Sequence, residues 1–126
     1  KANYVMSRLS ERLLFLSGHI ISSQPATPIA NVEEGQAQAK QLALSLIGTL
    51  KHELGDLGRI RQLIKLTGFL RMAPDLNQHS LVMDGASQTM LAVFGEEAGK
   101  HARSAIGVAS LPFGVAMEME LIAELH

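Results

Sequence analysis

One segment of this sequence, from Asn31 to Gly55, has the apolar spacing of a long amphipathic helix. Its apolar residues recur every three or four positions, as one face of a helix requires: Ala39, Leu42, Ala43, Leu46, Ile47, Leu50 and Leu54. Asn31 is a favourable N-cap, Glu34 stands three residues later in the capping-box position, and Gly55 provides the stop. We assign this stripe to core packing and give it no chemical role.

Strand-like segments surround this helix. The sequence predicts strands over 13–17, 19–22 and 59–70, a second helix over 77–94 ended by Gly95, a loop over 96–100, and two closing strands joined by a turn at 111–114. The alternative for the second helix is a break at Gly85, with the part before it a loop. Helices that interrupt an otherwise sheet-forming chain favour an α+β fold with both helices on one face of the sheet. Residues 1–126 are long enough for a single domain with one core.

Composition excludes several classes of function. The 11 basic and 12 acidic residues give a net charge of −1, and with one Tyr and no Trp the chain lacks the signature of a nucleic-acid partner. The absence of Cys excludes disulfides and thiolate catalysis. No apolar run approaches the ~18 residues of a membrane span, so we predict a cytoplasmic protein with no membrane partner.

Two further expectations follow from the composition and the first residue. Apolar residues make up 47% of the chain, which predicts that it buries surface against copies of itself. Because the chain begins with Lys1 and not Met, we expect further residues upstream.

None of His52, His79 and His126 has metal-ligand spacing, so we predict them as surface residues and predict no metal site.

The two closing strands carry the main candidate site. If they form a hairpin about a symmetric turn, Ala105 and Gly107 lie opposite Glu120 and Glu118, with Arg103 one step along the same face. Small residues between these charged groups would leave a hollow. The planar fork of an arginine matches a carboxylate bidentately, so the hollow suits a small anionic ligand. The alternative is a structural salt bridge between strands or between subunits.

These same residues resemble a known family. The run Arg103-Ser-Ala-Ile-Gly-Val-Ala-Ser-Leu-Pro, followed by Met117-Glu118-Met119, resembles the C-terminal signature of the RidA/YjgF-like reactive-intermediate deaminases, also called L-PSP endoribonucleases. Further matches lie upstream: Asn3-Tyr4, Leu16-Ser17-Gly18, the helix at Asn31, Leu54-Gly55-Asp56-Leu57 and Thr67-Gly68-Phe69. The resemblance implies a chorismate-mutase-like mixed β-sheet with two helices on one face, assembled as a homotrimer with ligand clefts between subunits.

The resemblance also implies an activity, the hydrolysis of small 2-imino or 2-enamine acids to 2-keto acids and ammonia. Arg103 would bind the substrate carboxylate, and Glu118 would orient or activate the attacking water. The remaining substrate-binding candidates line the cleft: Tyr4, Ser17, Gly18, His19 and Ala105. No metal or organic cofactor is implied, because an imine is already electrophilic and needs only positioning and a polarised water.

Departures from the family pattern predict a divergent subgroup. His101 stands where Pro or Ala is usual, His19 where Gln is common, and Ala105 where Cys is frequent. Glu120 and His101 are secondary candidates, and a partly exposed loop position is the favoured interpretation of His101. The alternative function is a non-enzymatic trimeric binder of small carboxylates. Ribonuclease activity is disfavoured because basic and aromatic patches are lacking.

Overall fold

The computed structural model describes residues 2–126 and shows a five-stranded mixed sheet with two helices in that part of the chain. The elements are β1 (Ser7–Ser10), β2 (Leu13–His19), α1 (Val32–Leu54), β3 (Ile60–Leu70), α2 (His79–Gly99), β4 (Ala102–Gly107) and β5 (Met117–Leu125). The strand order is β1-β2-β5-β3-β4, and every neighbouring pair is antiparallel except β3 and β4. The α+β prediction is confirmed.

Helix α1 begins and ends where the sequence predicts. The Asn31 side chain accepts a hydrogen bond of 2.8 Å from the backbone N–H of Glu34, which caps the first turn. Gly55 ends the helix with a φ of +80°, and its N–H donates to the carbonyl of Lys51. A left-handed residue at this position favours glycine, because a Cβ would be strained there.

Both helices pack on one face of the sheet and bury the core against it. The fully buried side chains come from the helices and from the sheet rows beneath them, and the largest include Leu42, Leu46, Leu50, Leu63, Leu66, Met83, Met90, Met117, Met119 and Leu121. The helices cross closely at Gly85, where a Cβ would overlap the backbone carbonyl of Gln36. This contact explains why a glycine lies inside α2 without breaking it.

The second helix is longer than predicted. It continues to Gly99, although Gly95 has a non-helical φ of +87° and divides it into two helical pieces. The prediction of a loop over 96–100 is therefore wrong for residues 96–99. Gly95 stops one helix, but residues 96–99 then form another turn before β4. Neither helix of residues 2–126 has the length and apolar character needed to cross a membrane.

The N-terminal strands also differ from the prediction. Residues 7–10 form β1, an edge strand that the sequence pattern did not reveal because its residues are mostly exposed and polar. The strand predicted over 19–22 is wrong, since β2 runs unbroken from Leu13 to His19. Its pairing with β5 shifts between Leu16 and His19, so the chain bulges at Ser17 and Gly18 instead of stopping there.

The predicted C-terminal hairpin is wrong. Strand β4 pairs in parallel with β3, and β5 pairs with the other edge of β3, so β3 separates the two closing strands. The physical reason is a β-α-β connection: α2 carries the chain back along the sheet, which lets β4 run parallel to β3. Alternation within a strand shows which residues share a face, but it does not show which strand lies next to it.

Candidate functional site

Arg103 lies on the face of the sheet that the helices cover. It pairs with Leu66, which in turn pairs with Leu121, and both leucines are buried beneath the helices. Its guanidinium reaches α2, where Nη1 donates to Asp84 Oδ1 at 2.9 Å and to Ser87 Oγ at 3.0 Å. Nη2 donates to the carbonyl and the hydroxyl of Ser80 at 3.2 and 2.8 Å.

These contacts make Arg103 the centre of a polar group that we call the arginine cluster: Ser80, Asp84, Ser87 and Arg103. The ion pair with Asp84 is partly shielded, since the side chain of Arg103 is 19% exposed and that of Asp84 is 37% exposed. A guanidinium has five N–H donors, and the four contacts with α2 engage both hydrogens of each Nη. Within this copy they leave Nε–H for a further partner.

A cavity of about 540 Å³ opens beside the arginine cluster. Its lining comes from the start of α2 and from β4: Asn77, His79, Ser80, Arg103, Ala105, Ile106 and Gly107. The structure therefore brings Ala105 and Arg103 together as predicted. It also places His79, which the sequence predicted as a surface residue, so close to Gly107 that a Cβ there would contact its ring. His79 is partly buried.

His101 touches the arginine cluster from behind. Its Nε2 lies 2.9 Å from Ser87 Oγ, and its Nδ1 lies 2.6 Å from the carbonyl oxygen of Gly99. A smaller cavity of about 220 Å³ is lined by Ser87, His101 and Arg103 together with Leu91 and Lys100. His101 is in a partly exposed loop position, but it is linked through one hydroxyl group to Arg103.

Glu118 lies on the opposite face of the sheet. It pairs with Phe69, whose partner on β4 is Ile106, whereas Ala105 and Arg103 alternate with Ile106 and face the helices. The prediction that Arg103 shares a face with Glu118 and Glu120 is therefore wrong. That prediction assumed that β4 pairs directly with β5. Because β3 lies between them, the residues of β4 and β5 that share a face are not those of a hairpin.

The bulge in β2 gives the Glu118 carboxylate its position. A Cβ at Gly18 would overlap the carboxylate, so the missing side chain there is what admits Glu118. The neighbouring Ser17 hydroxyl donates to the carbonyl of Val5 at 2.5 Å, which fastens the bulge to the segment before β1. We call Ser17, Gly18, Glu118 and the exposed Glu120 the glutamate cluster.

Burial raises the pKa of Glu118 above its usual range, and the negative charge of Glu120 adds to this effect, while His19 opposes it. His19 itself is buried and faces α1. Its Nδ1–H donates to the carbonyl of Ser17 at 2.7 Å, and its Nε2 lies 2.8 Å from the hydroxyl of Thr49. Within this copy His19 supports the bulge from behind instead of lining an open cleft.

Tyr4 is the most peripheral of the predicted site residues. It precedes β1 and is 68% exposed, and the two residues that follow it, Val5 and Met6, accept hydrogen bonds from Ser17 of the bulge. Sequence reasoning missed Asn77, Ser80, Asp84 and Ser87, because no spacing in the sequence shows that α2 lies over Arg103. In residues 2–126, no three His, Asp or Glu side chains converge as ligands for a metal ion.

Comparison with known proteins identifies the family. A family model described as "YjgF/chorismate_mutase-like, putative endoribonuclease" matches residues 4–125. The chain belongs to the YjgF family. The resemblance carried by the C-terminal signature is thus confirmed, and the five-stranded sheet with two helices is the chorismate-mutase-like fold of this family.

Three proteins illustrate what this chain is similar to. Protein TCP17 of Trypanosoma cruzi is 46% identical over 95 residues, which are 75% of this chain but only 59% of TCP17. The crystal structure of Atu1372 from Agrobacterium tumefaciens is 38% identical, covers 99% of this chain and 83% of its own, and has a TM-score of 0.89. Escherichia coli TdcF, solved with bound serine, is 27% identical with a TM-score of 0.67, and the match covers 100% of this chain and 91% of TdcF.

Proposed function

We propose that this protein hydrolyses small 2-imino or 2-enamine acids to 2-keto acids and ammonia. The site would lie between two subunits of a homotrimer, with Arg103 of one copy binding the substrate carboxylate and Glu118 of a neighbour acting on water. One observation carries the proposal: Arg103 lines an open cavity of about 540 Å³ with Ala105, and its Nη2 edge is held by an exposed serine that a ligand can replace.

The placement of Glu118 supports a site between subunits. Glu118 and Arg103 occupy opposite faces of the same sheet, so a single copy cannot direct both at one small molecule. The face that carries Glu118 also exposes apolar side chains, including Phe15 at 41% and Ile106 at 44% exposure. An uncovered apolar sheet face of this kind is favourable for association with further copies.

The chemistry needs one proton shuttle and no cofactor. Water adds to the imine carbon while the carboxylate of Glu118 accepts a proton from it. The same carboxyl group then returns this proton to the nitrogen, which gives the neutral carbinolamine. Glu118 next transfers the hydroxyl proton to the same nitrogen as the C–N bond breaks, so that ammonia leaves and the hydroxyl oxygen becomes the keto oxygen. A raised pKa favours this role, because it makes the carboxylate a stronger acceptor for the proton of the attacking water. The serine bound to TdcF shows that this related protein accepts a small amino acid, which is compatible with a carboxylate anchor.

The test follows the decay of 2-iminopropanoate or 2-iminobutanoate generated in situ by a dehydratase. We expect the wild-type protein to accelerate the decay and Arg103→Ala to lower kcat/KM roughly 10- to 100-fold, because charge-assisted hydrogen bonds to the carboxylate are lost. Arg61→Ala, which removes an exposed arginine of β3, is the matched control and should retain activity. No acceleration by the wild type would contradict the deaminase proposal for these substrates.

A non-enzymatic carboxylate binder is the second candidate. The lining of the larger cavity favours this function, because within residues 2–126 it contains the anchor Arg103 and only one side chain able to exchange a proton, that of His79. Such a protein would use the Arg103 cavity without needing Glu118. Carboxylates found at Arg103 in soaked crystals, together with unchanged imine decay, would support this function.

A further inference from the structure

We propose that Ser87 and His101 are positioning residues for Arg103, and that Ser80 is the partner a substrate carboxylate displaces. This inference rests on the proposed carboxylate-binding role of Arg103 and assigns separate tasks to the two edges of its guanidinium. The Nη1 edge is fixed to α2, and the Nη2 edge exchanges between α2 and the ligand.

The hydrogen bonds behind Arg103 run in one direction. The Gly99 carbonyl can only accept, so Nδ1 of His101 carries the proton in their 2.6 Å contact. In a neutral imidazole this leaves a lone pair on Nε2, and the Ser87 hydroxyl must donate to it across 2.9 Å. The Ser87 oxygen is then free to accept from Nη1 of Arg103 at 3.0 Å.

His101 therefore determines where the single proton of Ser87 points. Without an acceptor at Nε2, that hydroxyl would turn toward another acceptor, and the carboxylate of Asp84, which accepts from the same Nη1 group of Arg103, is one such acceptor on the same helix. The turned hydroxyl would compete with Arg103 for the carboxylate of Asp84. His101, two residues before Arg103, thus orients the arginine through Ser87.

Arg103 lines two cavities, and their other lining residues distinguish the fixed edge from the exchangeable edge. Ser87 and His101 line the smaller cavity of about 220 Å³, whereas Ser80 lines the larger one of about 540 Å³. Ser80 is exposed at the first turn of α2, and its hydroxyl holds Nη2 at 2.8 Å. A carboxylate entering the larger cavity meets Nη2 and the unoccupied Nε–H, so it replaces the serine hydroxyl in a bidentate grip.

Ser80 and Ser87 lie on the same helix and accept from the same guanidinium, but we expect their removal to change ligand affinity in opposite directions. The two serines therefore provide a matched pair of variants. The probe is 2-oxobutanoate, a keto-acid product of the proposed reaction, with its Kd measured by calorimetry on the assembled protein. We expect Ser87→Ala to weaken binding roughly 5- to 10-fold, since a hydrogen bond that orients a charged donor is lost. Ser80→Ala should tighten binding by roughly 2- to 3-fold, because a competing acceptor is removed.

Variants of His101 test whether it acts through Ser87. His101→Leu should match Ser87→Ala, while His101→Gln should restore near-wild-type binding because an amide oxygen can accept the Ser87 proton. In the Ser87→Ala background, His101→Leu should cause no further loss, as expected for residues that act as one unit. Equal effects of Ser80→Ala and Ser87→Ala, or additive losses in the double variant, would overturn the proposal.

A direct readout separates this inference from the activity itself. Nitrogen-15 NMR of the Arg103 side chain should show slowly exchanging Nη1 protons in the wild type and in His101→Gln, and fast exchange in His101→Leu and Ser87→Ala. This pattern without imine hydrolysis would contradict the deaminase proposal and leave the positioning roles standing. Unchanged Nη1 exchange in all three variants would overturn the positioning roles, whatever the activity.

Discussion

At the scale of single residues, the absence of a side chain at Gly18 gives the Glu118 carboxylate its place. A methyl group there would overlap the carboxylate, which is the far end of a flexible side chain and can move away. We therefore expect Gly18→Ala to fold with little loss of stability but to displace Glu118 and lower kcat for imine hydrolysis at least 10-fold. A kcat close to the wild-type value would show that Glu118 need not occupy this position.

The raised pKa of Glu118 has a consequence for stability. Burial, assisted by Glu120, makes the folded protein hold this proton more tightly than the unfolded chain does. At pH values between the pKa of Glu118 in the unfolded chain and its higher pKa in the folded protein, the folded state binds more protons. The contribution of this carboxyl group to stability is therefore fully present below the unfolded-state pKa, and it is lost as the pH rises through the folded-state pKa.

Glu118→Gln removes that ionisation, and we expect it to be more stable than the wild type at pH 8. The difference should shrink as the pH falls toward 4, where the wild-type carboxyl group is also neutral. Urea unfolding at a fixed protein concentration measures both proteins across this range. Glu97→Gln, an exposed neutralisation in α2, controls for the change in net charge. A difference that is constant with pH would contradict the role of ionisation.

At the scale of secondary-structure elements, helix α1 was predictable and the neighbours of the strands were not. The α1 cap, stripe and stop all lie within a local stretch, so the sequence reports them directly. The place of β4 beside β3 depends on how α2 crosses the sheet, which no local pattern records. For the same reason Arg103 could be recognised as a ligand-binding candidate, but Asp84 and Ser87 could not be recognised as its partners.

Gly85 gives a direct test of how the two helices meet. A Cβ there would overlap the backbone of Gln36, which cannot swing aside as a side chain can. We expect Gly85→Ala to lower the free energy of unfolding by about 1–3 kcal/mol, as overpacking commonly does. Gly48→Ala is the matched control inside a helix, because a Cβ there meets nothing within 4 Å. It should stabilise the protein by about 0.5–1 kcal/mol. Equal effects in chemical unfolding would contradict the close crossing.

At the scale of the whole molecule, the two faces of the sheet divide the proposed site between copies. The arginine cluster lies under α2, and the glutamate cluster lies on the uncovered face with Phe15 and Ile122. An active site that uses both clusters therefore needs an arginine from one copy and a glutamate from another. Defects in the two residues should then be able to complement each other within one assembly.

Co-expression of Arg103→Ala chains with Glu118→Gln chains tests this division. In randomly mixed assemblies, a site is intact only when the copy supplying the arginine carries the Glu118 change and its neighbour carries the Arg103 change. Equal amounts of the two chains should therefore recover about one quarter of wild-type activity, although each variant alone is nearly inactive. Arg103→Ala chains co-expressed with the double variant should stay inactive, since no intact arginine is present. A mixture no more active than its parents would show that the two residues do not serve one site between copies.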